Sequence, residues 1–334
     1  MKTILISGAT GFVGRHFVEH ALEQGYRPIV LVRKSSKTNY FDEKKVPVVI
    51  LSFNDPEKLV VEVKTLIDTY GIIDNFIHIA GLTQSLKVSD YYNVNYQITK
   101  NLIEAFSTST TNPPKFIFVS SIAALGPGDP ITFKPISEDQ SPNPVTYYGK
   151  SKLMAEQFLK SQTHMPWIIL RPTIVYGPHE KNFFNLVKSL KMGFEIYVGS
   201  KKQMLSFIYV DDLVNVILKL CESKISQKDY NLCDGESYSI STVNQVIKNE
   251  LNVKTKSIVL PTVFVRIIAF FNELVSRLTS LSPIVNQNKV NEMVQLNWLC
   301  DNSKIKEDIE FTPKFKLQEG MNKTIKWYKR NDWL

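Results

Sequence analysis

The chain has 334 residues, of which 43% are hydrophobic and 22% charged, and its formal net charge at neutral pH is +8. This composition predicts a soluble globular protein with one large domain or two closely packed ones. The basic residues are spread along the chain without a run of five or six, so the positive charge does not indicate a nucleic-acid partner.

The cysteines stand far apart and lack the spacing of metal ligands. Thiols of this kind are typical of a reduced, cytoplasmic protein, and we expect that localisation and no bound metal. The first predicted strand begins almost at Met1, where a signal peptide would otherwise stand. The cysteines are Cys221, Cys233 and Cys300.

Strand and helix signals alternate over the first half of the chain. Short runs rich in Val and Ile are typical of buried strands, and stretches with helical spacing of apolar residues follow them. This alternation predicts an α/β fold with a Rossmann-type, doubly wound parallel sheet that is covered by helices on both faces. The predicted elements are strand Thr3–Ser7, helix Phe12–Gln24, strands Pro28–Arg33 and Val46–Leu51, helix Asp55–Tyr70, strand Asn75–Ile79, helix Ser89–Phe106, strand Lys115–Ser120, helix Tyr147–Lys160 and strand Trp167–Leu170.

Beyond Gly177 the alternation weakens, which indicates segments that leave the sheet to bind substrate. We expect a cofactor-binding domain over residues 1–176, to which 204–233 and about 284–303 return. A smaller, discontinuous C-terminal substrate lobe is expected to comprise 177–203, 234–283 and 304–334.

One apolar stretch of this lobe, Ser257–Phe271, is too short to cross a bilayer, and Arg266 interrupts it. It predicts a buried or surface-docked helix and leaves open a peripheral contact with a membrane. Many of its apolar residues are expected to lie in the core, and the others near the substrate cleft. The residues concerned are Pro261, Val263, Phe264, Ile267, Ile268, Phe270 and Phe271.

A glycine-rich turn, GATGFVG, follows the first predicted strand and opens the first predicted helix. Glycines here permit a tight turn and close approach of the backbone to a pyrophosphate. The helix start offers free N–H groups at its positive dipole end. The turn therefore predicts a dinucleotide site, with contacts from Gly8, Thr10, Gly11, Phe12, Val13 and Gly14.

The end of the second predicted strand bears on the choice between NAD and NADP. NAD enzymes usually place an acidic residue there to bind the ribose 2′-hydroxyl. Here Arg33 stands at that point, followed by the sequence KSS, and the first acidic residue, Asp42, lies well past it. Cations and hydroxyls suit a 2′-phosphate. We therefore predict NADP(H) rather than NAD(H).

The segment TYYGKSK, residues 146–152, carries Tyr148 and Lys152 four residues apart, on one face of a predicted helix. Tyr147 is five residues from the lysine and points elsewhere. A neighbouring ammonium and an oxidised nicotinamide would favour the phenolate of a tyrosine that otherwise titrates near 10. The strand end FVSS brings Ser120 and Ser121 to the carboxyl edge of the sheet, where ligands bind in such folds.

Seven motifs follow one another along the chain: GATGFVG (8–14), IHIAG (77–81), NVNYQITKNLIEA (93–105), VSS (119–121), YYGKSK (147–152), LRPTIVYGP (170–178) and FIYVDDL (207–213). In these motifs the chain resembles the extended short-chain dehydrogenase/reductase superfamily, which includes the NAD-dependent epimerase/dehydratase family. Its C-terminal third is most similar to the branch of dihydroflavonol reductases and 3β-hydroxysteroid dehydrogenases.

The resemblance implies an enzyme in which Tyr148 is the acid/base, Lys152 lowers its pKa and holds the nicotinamide ribose, and Ser121 orients the reacting oxygen. It also implies a homodimer through the predicted helices Ser89–Phe106 and Tyr147–Lys160. Ser52 stands where the family usually has an aspartate that binds adenine. The further cofactor contacts that it implies are Ser52, Phe53, Ala80, Gly81 and Pro172.

Two substitutions bear on the substrate. Sugar-nucleotide enzymes of this family usually carry an Asn where this chain has Ile174 and an Arg where it has Leu205. The missing donors favour interconversion of a ketone and a secondary alcohol on an apolar or aromatic small molecule. A nucleotide-sugar epimerase or dehydratase stays open, since Lys201 and Lys202 could bind the diphosphate. The third alternative is a non-catalytic NADP-binding protein, against which the joint presence of the tyrosine, lysine and serine argues.

Overall fold

The computed structural model describes residues 2–279 and 285–334, apart from the side chains of residues 182 and 277–279. Its strands are β1 (Thr3–Ser7), β2 (Arg27–Val32), β3 (Val48–Ile50), β4 (Asn75–His78), β5 (Lys115–Val119), β6 (Trp167–Pro172), β7 (Ile174–Tyr176), β8 (Phe194–Val198), β9 (Met204–Leu205), β10 (Phe207–Tyr209), β11 (Lys228–Leu232), β12 (Tyr238–Ser239), β13 (Lys256–Leu260) and β14 (Asn297–Trp298).

The α-helices are α1 (Phe12–Glu23), α2 (Asn39–Glu43), α3 (Pro56–Tyr70), α4 (Val88–Tyr91), α5 (Ile98–Ser109), α6 (Tyr147–Lys160), α7 (Lys181–Lys191), α8 (Val210–Glu222), α9 (Ile240–Leu251), α10 (Thr262–Thr279), α11 (Gln287–Met293), α12 (Ser303–Ile309) and α13 (Leu317–Arg330). A π-helical stretch, Tyr92–Gln97, joins α4 to α5.

A seven-stranded sheet in the order β3-β2-β1-β4-β5-β6-β11 forms the centre, and each neighbouring pair runs parallel. The predicted Rossmann-type α/β fold is therefore confirmed. After β3 the chain returns to place β4 beside β1, so the order of strands reverses between β1 and β4. The carboxyl ends of these two strands form the crevice in which ligands bind in doubly wound sheets.

Both faces of the sheet are covered because successive residues of each strand point to opposite sides. On one side Ile4 and Ile6 of β1 belong to a core formed with α1 and α8. On the other side Leu5 belongs to a core formed with α3, α5 and α6. All five residues of β1 are buried, which fixes the glycine turn that follows it.

The helix predicted over Ser89–Phe106 is not one regular α-helix. Its middle, Tyr92–Gln97, is π-helical, and α-helical geometry resumes at Ile98. The wider i→i+5 turn of a π-helix changes which side chains face inward. Asn95 is fully buried within it.

The apolar stretch Ser257–Phe271 differs most from the prediction. It is not a single helix, because β13 ends at Leu260 and α10 begins at Thr262, after Pro261. Val265 and Ala269 of α10 are buried in a small core with Val290 of α11. The expectation that many of the named apolar residues lie in the core is wrong for those of the helix, which are exposed: Val263, Phe264, Ile267, Ile268, Phe270 and Phe271.

The reason for this exposure is the inward position of two charged residues of α10, Arg266 and Glu273. The guanidinium of Arg266 donates to Gln287 (3.3 Å) and Asn291 (3.1 Å) on α11, and Glu273 accepts from the backbone N–H of Gln287 (2.7 Å). Within the described ranges, no helix has both the length and the apolar character needed to cross a bilayer. The boundary expected between 234–283 and 284–303 lies outside the described residues.

Candidate active site

The glycine turn after β1 packs tightly against the end of β4. Gly8 has a φ of +81°, and a Cβ added there would lie 2.4 Å from the backbone nitrogen of Ala80. A Cβ on Gly14 would lie 2.3 Å from the carbonyl oxygen of Gly8. Only glycine fits at either position, because a side chain there would collide with backbone atoms. The turn therefore packs directly against the loop after β4 and the start of α1.

The start of α1 is open to an anion. Gly11 is the N-cap, no side chain caps the helix, and its first turn carries no acidic residue. Thr10 and Gly11 are exposed, and Phe12 and Val13 are half-buried. Uncapped N–H groups at a helix N-terminus are the partners that a pyrophosphate needs. The turn therefore fits a dinucleotide.

Other residues predicted to contact the cofactor lie around the same crevice. Ala80 touches the glycine turn, and a Cβ on Gly81 would lie 3.1 Å from Nζ of Lys152. Pro172 is buried at the end of β6. Arg33 is exposed and lines a pocket of about 410 Å³, which Asp90 also lines. Ser85 donates to that carboxylate (2.6 Å).

Ser52 and Phe53, expected to contact adenine, are engaged by the protein itself. The backbone N–H and the hydroxyl of Ser52 both donate to the carboxylate of Glu62, at 2.6 and 2.9 Å. The ring of Phe53 is in the core, and its carbonyl accepts from Asn101 (2.8 Å). Neither donor of Ser52 is therefore available to adenine in this arrangement. The carboxylate of Glu62 lies beside the position that an aspartate usually occupies in the family.

Ser121, Tyr148 and Lys152 come together at the carboxyl end of β5. Thr146 caps α6 by accepting from the N–H of Gly149 (3.0 Å), which fixes the start of the helix. The hydroxyl of Tyr148 faces Ser121, which is close enough to affect the pKa of the phenol. One turn later the ammonium of Lys152, which is 2% exposed, donates to the carbonyl of Val119 (3.0 Å).

A close approach of α6 to the loop after β5 makes this arrangement possible. A Cβ on Gly149 would lie 2.2 Å from the carbonyl oxygen of Ala123, so only glycine permits the approach. Tyr147 has a different environment. It is 40% exposed, and its backbone N–H donates to Asn288 of α11 (3.0 Å).

The two titratable groups are shifted in opposite directions. Burial and the negative charge of Glu292 raise the pKa of Tyr148 to about 12, while the hydroxyl of Ser121 opposes the shift. Burial lowers the pKa of Lys152 to about 8, opposed by the carboxylate of Glu156. At neutral pH the phenol therefore keeps its proton and the ammonium stays charged. A protonated phenol beside a cation can give up its proton to an oxygen that gains negative charge.

Asn95 is a site residue that the sequence analysis did not single out. Its side-chain oxygen accepts from the N–H of Leu82 (2.6 Å), and its amide donates to the carbonyl of Leu82 (3.0 Å) and to Oγ of Ser151 (2.9 Å). Ser151 in turn donates to the carbonyl of Tyr148 (2.8 Å). Asn95 thus connects the loop after β4 to the first turn of α6. Its inward direction depends on the π-helical stretch, which hydrophobic periodicity does not reveal.

A buried histidine fixes the strands beneath the crevice. His78 bonds to Ser7 of β1 (2.5 Å) and to Thr99 of α5 (2.8 Å). Burial and the charge of Lys152 lower its pKa to about 3. The imidazole is therefore neutral and positions the neighbouring strands.

The two serines at the end of β5 differ in role. Ser120 is buried and donates to Glu156 (2.5 Å), which forms an ion pair with Arg171 (2.7 Å). Arg171 also pairs with Asp229 (2.7 Å). Ser120 is thus part of a buried polar network beneath α6, and Ser121 faces Tyr148.

The residues that replace the diphosphate-binding pair are placed differently. Ile174 is 37% exposed, whereas Leu205 is buried in a third core cluster. Lys201 and Lys202 are exposed, and the ammonium of Lys201 lies 5.0 Å from the ring centroid of Tyr197. Among the described residues, no group of His, Cys, Asp or Glu could hold a metal ion, and the three cysteines are free and buried.

Comparisons with known proteins agree on the family. Residues 4–233 match the sequence model of the NAD dependent epimerase/dehydratase family. The chain is 24% identical over 332 residues to a ceramide reductase of Caulobacter vibrioides, covering 99% of this chain and 96% of the relative. It is 25% identical over 336 residues to a decarboxylating sterol-4-alpha-carboxylate 3-dehydrogenase of Dictyostelium discoideum, covering 96% and 99%.

A solved structure extends the shared fold over the whole chain. UDP-glucose 4-epimerase of Thermotoga maritima, solved with UDP-glucose, has a TM-score of 0.79 at 20% identity, covering 98% of this chain and 99% of that chain. Together with the match over residues 4–233, this confirms the predicted family. The chain belongs to the NAD dependent epimerase/dehydratase family and is an enzyme of the extended short-chain dehydrogenase/reductase type.

Proposed function

We propose that the protein is an NADP(H)-dependent oxidoreductase that interconverts a ketone and a secondary alcohol on an apolar small molecule. The observation that carries the proposal is the buried phenol of Tyr148, which faces Ser121 and lies one helical turn from the buried ammonium of Lys152. These groups stand at the carboxyl edge of the sheet, beside a glycine turn that fits a dinucleotide.

Each side chain has a separate task in this reaction. A bound nicotinamide would supply or accept the hydride that the substrate carbon exchanges. Ser121 orients the substrate oxygen by a hydrogen bond, and Tyr148 transfers a proton to that oxygen as a carbonyl becomes an alcohol. The positive charge of Lys152 favours the phenolate that the transfer leaves. Because burial raises the pKa of the phenol to about 12, Tyr148 is protonated at neutral pH and holds the proton that carbonyl reduction requires.

NADP(H) is supported over NAD(H) by the end of β2. Arg33 follows the strand directly and is exposed, so its guanidinium can meet a 2′-phosphate. The carboxylate of Asp90 lines the same pocket and accepts a hydrogen bond from the hydroxyl of Ser85. At neutral pH the charged ammonium of Lys152 can donate to the hydroxyls of the nicotinamide ribose.

An apolar substrate is supported by the side chains present and by the relatives. Ile174 and Leu205 offer no hydrogen bond to a diphosphate. The names of the ceramide reductase and the sterol dehydrogenase indicate lipid substrates. A nucleotide-sugar epimerase is the second candidate, favoured by the likeness to UDP-glucose 4-epimerase and by the exposed Lys201 and Lys202.

The acid/base role predicts a difference between two adjacent tyrosines. Tyr148→Phe should lower ketone-dependent NADPH oxidation by about 100-fold or more, because it removes the proton donor and little else. Tyr147→Phe is the matched control and should have a much smaller effect, since that ring is 40% exposed. Steady-state rates and NADPH titration by fluorescence measure both. Equal losses in the two variants would contradict the assignment.

The cofactor preference predicts an effect of Arg33. The wild type should bind NADPH more tightly than NADH, and Arg33→Ala should narrow the difference, mostly by weakening NADPH. Fluorescence titration with both nucleotides gives the two affinities. Equal affinities in the wild type would refute the preference for NADP(H) without affecting the role of Tyr148.

A further inference from the structure

The outward side of α10 is apolar although it faces solvent. Phe264 and Phe271 are 62% and 56% exposed, and among the described side chains of α10 no charged group stands between the exposed apolar residues on this side. Positions three, four and seven apart share one side of a helix, so these residues form a continuous stripe. The stripe, named here the α10 apolar face, consists of Phe264, Ile267, Ile268, Phe270, Phe271 and Leu274.

The direction of this face is fixed by the rest of the structure. Arg266 and Glu273 point inward and are held by hydrogen bonds to α11, so rotating the helix would break them. The exposed apolar surface continues along the chain onto β13, where Ile258 pairs with the exposed Ile196 of β8. Contiguous apolar surface of this kind on a soluble protein marks an interaction site.

The charges beside the α10 apolar face indicate what kind of partner it binds. Residues 251–272 contain no Asp or Glu, and residues 181–203 contain only Glu195, which is buried and paired with Lys248. The exposed charges on these two segments are therefore positive, and they include Lys188, Lys191, Lys201, Lys202, Lys254 and Lys256. In a symmetric contact with a second copy, the same lysines would face one another and repel. An anionic lipid surface satisfies both the apolar face and the lysines.

The face also lies close to the catalytic tyrosine. α10 packs against α11 through Val265 and Val290. On α11, Asn288 accepts from the backbone N–H of Tyr147, and the charge of Glu292 acts on Tyr148. One helix thus separates the α10 apolar face from the reacting group.

We propose that the α10 apolar face, with the lysines around β8 and β13, docks the enzyme on an anionic lipid bilayer. The helix lies in the plane of the membrane surface without crossing it. A carbonyl compound dissolved in the bilayer then reaches Tyr148 without passing through bulk water. This last step rests on the proposed function, whereas the docking does not.

Vesicle flotation tests the docking. Wild-type protein should float with vesicles of phosphatidylcholine and phosphatidylglycerol, and less with phosphatidylcholine alone or at high salt. Phe264→Gln/Phe271→Gln should lower the partition coefficient by at least about tenfold. The matched control is Ile72→Gln/Ile131→Gln, which changes exposed apolar residues elsewhere and should float like the wild type.

Charge is tested in the same way. Lys254→Glu/Lys256→Glu should abolish the preference for anionic vesicles, and Lys44→Glu/Lys326→Glu should keep it. Failure of the wild type to float, or equal flotation of the phenylalanine variant, would overturn the proposal. So would a wild-type dimer, seen by sedimentation, that the phenylalanine variant dissociates in the absence of any vesicle binding.

The same variants separate docking from chemistry. NADPH oxidation with a water-soluble ketone should be unchanged in Phe264→Gln/Phe271→Gln, because the face does not touch the reacting groups. Loss of flotation with full activity on the soluble ketone is the expected result for this variant. Wild-type protein that floats but reduces no ketone would refute the proposed function and leave the docking intact.

Discussion

α8 and α10 are both rich in apolar residues, yet they place them on opposite sides. Leu213, Val214 and Ile217 of α8 are fully buried against the sheet, and its outward side carries Lys219 and Glu222. α10 points Arg266 and Glu273 inward and its aromatic residues outward. The difference shows that helical periodicity reveals which side of a helix is apolar, but not whether that side faces the core or the solvent. The neighbouring element decides the direction, and α11 presents amide side chains to α10.

The largest expected effect of this difference is on stability. Ile217→Ala should lower the free energy of unfolding by about 2–5 kcal/mol, because it leaves a cavity in the core. Ile267→Ala, the same change on the outward side of α10, should stay within about 0.5 kcal/mol. Urea denaturation of both variants measures the two values. Similar losses would mean that the α10 apolar face is covered by protein.

The buried ammonium of Lys152 predicts that the stability of the folded protein depends on pH. The pKa of Lys152 is about 8 in the folded protein, below the value of about 10.4 in an unfolded chain. Between these values the unfolded state binds more protons, so stability should rise with pH. The free energy of unfolding of the wild type minus that of Lys152→Met should therefore increase by up to about 3 kcal/mol from pH 7 to 10.5.

The control for this titration is Lys150→Met, at an exposed position on the same helix. Chemical denaturation of the cofactor-free protein at several pH values gives both curves. A flat difference for Lys152→Met would contradict the effect of burial on this ammonium.

The smallest expected effect is a difference in stability between two substitutions in α10. Replacing a charged residue by an apolar one should cost more stability there than replacing an aromatic residue by a polar one. Arg266→Leu should destabilise by about 1 kcal/mol, although it replaces a charged residue by an apolar one, because it removes hydrogen bonds to Gln287 and Asn291. Phe264→Gln should change stability by less than about 0.5 kcal/mol, although it replaces an aromatic residue by a polar one. Thermal unfolding of the two variants measures the order. The opposite order would place the phenylalanine in the core.

Local chemistry made the cofactor half of the fold predictable. The glycine turn after a buried strand predicts a dinucleotide site, and the tyrosine and lysine four residues apart predict acid/base chemistry. Each of these patterns is complete within a few residues of sequence. The strands and helices of this half follow the predicted ones with shifts of a few residues at their ends. Family and fold are confirmed, whereas the roles of the site residues stay predictions.

The features that the sequence did not reveal depend on irregular helix geometry or on contacts with a different helix. The inward direction of Asn95 requires a π-helical stretch, and the engagement of Ser52 requires Glu62 on the following helix. The outward direction of the α10 apolar face depends on hydrogen bonds to Gln287 and Asn291. Both residues belong to α11, which begins eight residues after α10 ends. Periodicity within one segment contains no information on such contacts.

Product analysis tests the central claim most directly. The purified protein is incubated with NADPH and a panel of ketosteroids, aromatic ketones and long-chain keto lipids, and in parallel with UDP-glucose. Chromatography then identifies the products. Formation of a secondary alcohol with equimolar oxidation of NADPH, and unchanged UDP-glucose, is the predicted result. Conversion of UDP-glucose to UDP-galactose without net use of NADPH, together with unreacted ketones, would contradict the account and establish an epimerase.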